Sequence, residues 1–244
     1  MEPPKPAPAK KENPFVNLLL NIIIPSTILM KYSKEEYLGP VNGLIVALLF
    51  PIVYGIYDLL DRKKVNFFSI LGVVSILLTG GIGLMHLDAH WIAIKEAAIP
   101  AMIGLAVLLS IRSPFPLVKK LIYNESIINI DAVNEALHRN NSRNQFEKLL
   151  VNSSYLLSGS FFLSAALNYG LAKYILHSSP GSPAFNEELG KMTALSYPVI
   201  VVPSMIVMSL ALWMLVHGIK KLTGLSLENI FKVHEGQAKD TGKK

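Results

Sequence analysis

Apolar residues in this chain neither alternate with polar ones nor form a single stripe opposite a charged face. They gather in runs of about twenty, nearly free of charge and apolar on every side. A run of that length crosses a hydrocarbon core of about 30 Å as a helix. Every backbone N–H and C=O in hydrocarbon must be satisfied within a helix or a closed barrel, and barrel strands would show a ten-residue alternation that these runs lack. The pattern therefore predicts an all-α polytopic membrane bundle. Its six transmembrane helices fall at about residues 14–30, 39–60, 67–85, 91–111, 150–176 and 192–219, within one membrane domain over 14–219.

The polar stretches complete the plan. Residues 1–13, MEPPKPAPAKKEN, are rich in proline and lysine and predict a disordered tail. Residues 112–149 form a connector. Its first part, SPFPLVKKLIYN, suits the membrane surface, with Phe115, Leu117, Leu121 and Ile122 inward. Its second part places Ile130, Val133 and Leu137 at helical spacing, and this amphipathic helix either covers the end of the bundle or docks a partner. HSSPGSPAFNEELGK reads as a turn, and residues 220–244 as a basic tail. Eighteen lysines and arginines lie before the first run, after the second, between the fourth and fifth, and after the sixth. Only Lys31, Lys34, Lys173 and Lys191 lie in the other loops. The positive-inside rule then places both termini in the cytoplasm and the His86–His90 turn outside.

Composition narrows the function. Charged residues make up 16% of the chain, against about 25% in soluble domains. Without cysteine there is no disulfide or thiol chemistry. The net charge of +6 belongs to lysines and arginines beside spans, where the partner is the phospholipid bilayer; it calls for no nucleic acid. GGIG at Gly80–Gly83 lies inside a span, without the strand-turn-helix setting of a phosphate loop, and reads as packing glycine. No nucleophile elbow or dinucleotide fingerprint occurs. Neither an enzyme nor a cofactor is expected.

Within the spans, IIIPSTIL, AAIPAMIG and IVVPSMIV place Pro25, Pro100 and Pro203 as candidate helix breaks, and Pro51 and Pro198 add two more. Each proline removes a backbone donor and frees a carbonyl four residues earlier. Such breaks are shared hydropathy and simple kinks, or they line a pathway as in transporters. Ser160 with Ser164, Ala166 with Gly170, and Gly72, Gly80 and Gly83 suit close helix packing. Asn168 is a polar residue well inside a span.

The densest polar stretch is GGIGLMHLDAHWIAIKEAAIP, with His86, Asp88, His90, Lys95 and Glu96 between two apolar runs. Asp88 suits an N-cap, and Trp91 an interface. Lys95 follows Trp91 by one turn, about 6 Å deeper, and Glu96 points about 100° away from it. Two readings stand. In one, Lys95 snorkels or pairs as an interfacial anchor. In the other, His86, Asp88, Lys95, Glu96 and Asn168 build a polar pocket at membrane depth, where ionisable groups mark function. His86-x-Asp88-x-His90 has ligand-type residues but no second cluster to complete a metal site, so none is expected.

The same stretch carries a family resemblance. RKKVNFFSILGVVSILLTGGIGLMHLDAHWIAIKEAAIPAMIGLAVLLS, followed by PFPLVKKLI, resembles the bacterial intracellular septation protein A family, with Arg62, Lys64, Gly80, Gly81, Leu84, His86, Asp88, Trp91 and Lys95 fitting its pattern. Coverage runs from about Pro25 to Ile122. That family ends soon after the basic exit, whereas this chain adds the connector and two helices, and His90 and Glu96 lie outside the pattern. The whole chain is similar to a larger set of uncharacterised six-helix bacterial membrane proteins sharing this core. The resemblance implies a non-enzymatic inner-membrane protein concerned with septation, envelope integrity or lipid handling, with envelope or division proteins as partners. The alternative is a small transporter or lipid-flux protein using the polar patch and the proline breaks.

Overall fold

The computed structural model describes residues 14–62, 67–113, 117, 123 and 128–231, and the side chains of these except Pro14, 58–62 and 67–72. The sequence expectations for the 1–13 tail, for most of the surface stretch before Tyr123 and for residues 232–244 lie outside them.

The first helix, α1, is assembled from alternating turns: Pro14–Leu18 is α-helical, Leu19–Ile23 π-helical, Ile24–Thr27 α-helical and Ile28–Tyr32 π-helical. Pro25 sits between the two π segments. It leaves a gap in the i→i−4 ladder, and the wider turns on either side change the bonding register around it. Helices α2 (Gly39–Arg62), α3 (Phe67–Leu84) and α4 (His90–Ser110) follow. Then come α5 (Ile130–Arg139), α6 (Arg143–Ile175) and α7 (Pro183–Ser196). A π turn at Tyr197–Val201 leads into α8 (Val202–Thr223), and a short α9 (Leu227–Ile230) closes the described chain. The only non-helical pairing among the described residues is an antiparallel bridge between Ile128 and Phe231.

Five helical segments are long and apolar enough to cross a membrane: Phe15–Tyr32, Gly39–Tyr57, His90–Ser110, Arg143–Ile175 and Pro183–Thr223. The apolar stretch of α3 with described side chains, Val73–Leu84, is shorter. Two helices begin earlier than their apolar runs. α6 starts at Arg143 and α7 at Pro183, because helical bonding continues through polar residues where local signals support it. For α7 these are Ser182, whose side chain accepts from Phe185 N, and a proline in the first turn. The candidate breaks differ among themselves. Pro25 and Pro203 lie next to π turns, whereas Pro100 does not interrupt α4, which is continuous from His90 to Ser110.

Packing divides the chain into two compact units, Met1–Ile99 with Ala165–Val201, and Pro100–Ser164 with Val202–Lys244. In the first, Leu29, Leu44, Ile82, Ile92, Leu171 and Phe185 form the core. Backbones approach closely there: a Cβ on Gly190 of α7 would lie 2.9 Å from the Ser26 carbonyl and 3.0 Å from Leu29 Cβ of α1. Asn186 donates to the Pro40 carbonyl at 2.6 Å.

In the second unit, Val107, Leu157, Leu215 and Ile219 pack with Val133 and Leu137 of α5 and Ile230 of α9. The apolar face of α5 is fully covered, with Val133 and Leu137 at 0% exposure. The apolar face of α5 thus covers this unit's core. Asn140 Nδ2 donates to the Leu222 and Thr223 carbonyls at 3.0 and 3.1 Å, and Ser142 Oγ to Leu222 at 3.2 Å. The orphan carbonyls ending α8 are capped by the connector. Burial of Tyr123 in this core pushes its phenol up to about 12; Asp131 adds to the rise and Arg143 opposes it.

Candidate functional site

The candidate site lies where α3 turns back into α4, within the first unit. Asp88 Oδ1 accepts from His90 N at 2.7 Å, and the Asp88 carbonyl accepts from Trp91 N at 3.0 Å. The aspartate thus closes the exposed amides that begin α4, as its position in the sequence predicts. Trp91 is exposed.

One turn further, Lys95 is only 8% exposed. Its ammonium does not return toward the turn. It reaches Glu96 Oε1 at 2.6 Å, Thr79 Oγ1 at 2.8 Å, Ser75 Oγ at 3.0 Å and the Ser75 carbonyl at 3.4 Å. Ser75 and Thr79 stand four residues apart on one face of α3. The Thr79 hydroxyl donates to the Ser75 carbonyl at 3.0 Å, so its lone pairs are free to accept from the lysine. Glu96 keeps a partly open side chain, 29% exposed against 7% for Lys95. A charge-assisted bond this short in an apolar setting is strong, and the pair leaves no net charge. All three ammonium protons have oxygen partners. The arrangement ties α3 to α4 and offers no open N–H to an incoming anion.

Of the sequence candidates, the structure brings Lys95 and Glu96 together and gives the others separate settings. His86, at φ +55°, ends α3 with its ring over Gly181 of the α6–α7 turn. His90 meets the Tyr169 ring edge-on at 6.2 Å. Asn168 is half-buried on α6. Among the described residues no three His, Asp or Glu side chains gather as a metal would require. Sequence reasoning missed Ser75 and Thr79. A signal for Thr79 was present: it and Lys95 each stand eight residues from Leu87, the middle of the turn, so an antiparallel hairpin sets them level.

A second feature of this unit is an apolar groove of about 610 Å³ between α1 and α2, lined by Val16, Leu20, Leu49, Phe50, Val53 and Tyr57 among others. It shares no residue with the Lys95 cluster. No family model, curated protein or solved structure matches the chain.

Proposed function

We propose that this chain is a six-span bacterial inner-membrane protein with both termini in the cytoplasm. It acts without catalysis as an envelope or division-associated factor of the septation protein A type, through contacts with lipid and with other membrane proteins. The observation that carries this reading is the closed state of the Lys95 cluster: the one buried ammonium among the described side chains is engaged by four oxygens of its own unit. The apolar groove on α1 and α2 supports a lipid-contacting role, and the resemblance of residues 25–122 supports the envelope setting.

Two experiments test it. In cells lacking the native gene, Lys95→Met should restore normal cell length and envelope permeability wherever the protein accumulates normally, because it alters an internal tie. Loss of complementation at normal abundance and melting temperature would assign Lys95 a direct role in binding. For topology, Ala184→Cys should react with an impermeant thiol reagent in intact cells, and Gln145→Cys should not; both sites are exposed. Labelling of Gln145→Cys in sealed cells overturns the orientation.

A second reading, a small transporter or lipid-flux protein, is favoured by the π turns beside Pro25 and Pro203, since π turns inside helices are frequent at functional sites. On that reading Pro25→Ala and Pro203→Ala abolish function without lowering expression.

A further inference from the structure

We propose that the oxygens around Lys95 constitute a monovalent-cation site, suited to potassium, which the lysine ammonium occupies as a tethered ion. This rests on the reading of Lys95 and Glu96 as an internal tie and says what kind of tie it is.

The donors are one carboxylate, two hydroxyls and one backbone carbonyl, all hard oxygens. They surround the Lys95 nitrogen at 2.6 to 3.4 Å. Magnesium demands oxygens at about 2.0–2.1 Å and calcium at about 2.3–2.6 Å, so a cage of this width suits neither. An ammonium group and a potassium ion are close in size and equal in charge, and each is held by oxygens that replace its water shell. Charge gives the same answer. Glu96 is the only carboxylate in the set, so one positive charge neutralises the site. A divalent ion would leave a net charge in a buried, low-dielectric place, at high cost.

The cage is also preorganised. Ser75 and Thr79 are fixed by the same turn of α3, and the Thr79 hydroxyl, by donating to the Ser75 carbonyl, turns its lone pairs outward. Glu96 is delivered by the residue next to the lysine, so its carboxylate stays when the ammonium is removed.

Lys95→Ala empties the space at the nitrogen, whereas Lys95→Met fills it with an apolar group. Melting temperatures in detergent are compared in potassium, sodium and choline chloride at equal ionic strength. Replacing choline by potassium should raise the melting temperature of Lys95→Ala by about 2–4 °C, the shift expected for a ligand a few-fold above its dissociation constant. Wild type and Lys95→Met should not respond, and Lys95→Ala with Glu96→Gln should lose the response. A Lys95→Ala protein whose melting is the same in all three salts overturns the proposal. If that variant resists purification, its recovery as a monodisperse species in potassium but not in choline supports the site, and aggregation in both overturns it. Complementation by Lys95→Met is read separately, so the internal-tie reading can fail while the cation response holds, or the reverse.

Discussion

The two units of this chain handle buried polar groups in different ways. The unit of residues 1–99 and 165–201 buries a full charge and answers it with the carboxylate beside it on the same helix and two hydroxyls on the neighbouring helix. The unit of residues 100–164 and 202–244 buries neutral hydroxyls, three of which donate to backbone carbonyls: Ser154 to Leu150, Ser158 to Gly104 and Ser160 to Ser204. The difference is one of risk. A hydroxyl that loses its acceptor forfeits a bond of about 1 kcal/mol. A buried ammonium that loses its counter-charge is left costly, and the first unit is therefore the more brittle of the two.

The largest effect expected follows from that asymmetry. Glu96→Ala should destabilise by about 3 kcal/mol, since it strands a buried ammonium. Lys95→Met should cost less, because the remaining Glu96 is part-exposed and can hydrate. The double variant should recover part of the loss in a mutant cycle measured by melting in detergent. A cost for Glu96→Ala no larger than the loss of one hydroxyl bond in the second unit would erase the contrast between the units.

Next in size is Gly190→Ala, at about 1–3 kcal/mol, because its Cβ would press on the Ser26 carbonyl and Leu29 Cβ, neither of which can swing away. The control is Gly159→Ala in the second unit, where nothing lies within 4 Å. That change should stabilise by about 0.5–1 kcal/mol through helix propensity.

Ser158→Ala should lower stability by about 1 kcal/mol, as the loss of one interhelical bond predicts. Ser153→Ala should be neutral or slightly stabilising. Its hydroxyl is fully buried and has no hydrogen-bond partner among the described residues, so methyl burial replaces an unmet polar group. A clear loss at Ser153 would reveal a bridging partner and bring the second unit closer to the first in sensitivity.

Helix positions were legible wherever a charge or a cap stands at the edge of an apolar run. Asp88 before α4 and Arg62 at the end of α2 put the boundaries within a residue or two. The early starts of α6 and α7 were missed because hydropathy measures the apolar part of a helix, while hydrogen bonding continues beyond it. The π turns left no trace in residue spacing, since a proline announces a missing donor but not how the ladder closes around it. At the site, Lys95 and Glu96 stood out as charges in an apolar stretch. Ser75 and Thr79 are ordinary span residues until α3 is folded against α4. The capping of α8 by Asn140 joins residues 82 and 83 apart, and such a contact leaves no periodic mark.

The contact between His86 and Gly181 bears on how the protein is made. Gly181 holds φ +86°, and the imidazole ring of His86 fills the space where its side chain would be. The two residues are far apart in the order of synthesis. When α3 and α4 leave the ribosome, the turn that will receive the ring has not yet been translated. The hairpin of α3 and α4 must wait unclasped while the connector and α6 are made. Its final clasp is therefore a late event of biogenesis, and a chain halted before residue 181 carries the Lys95 tie without the lock at its turn.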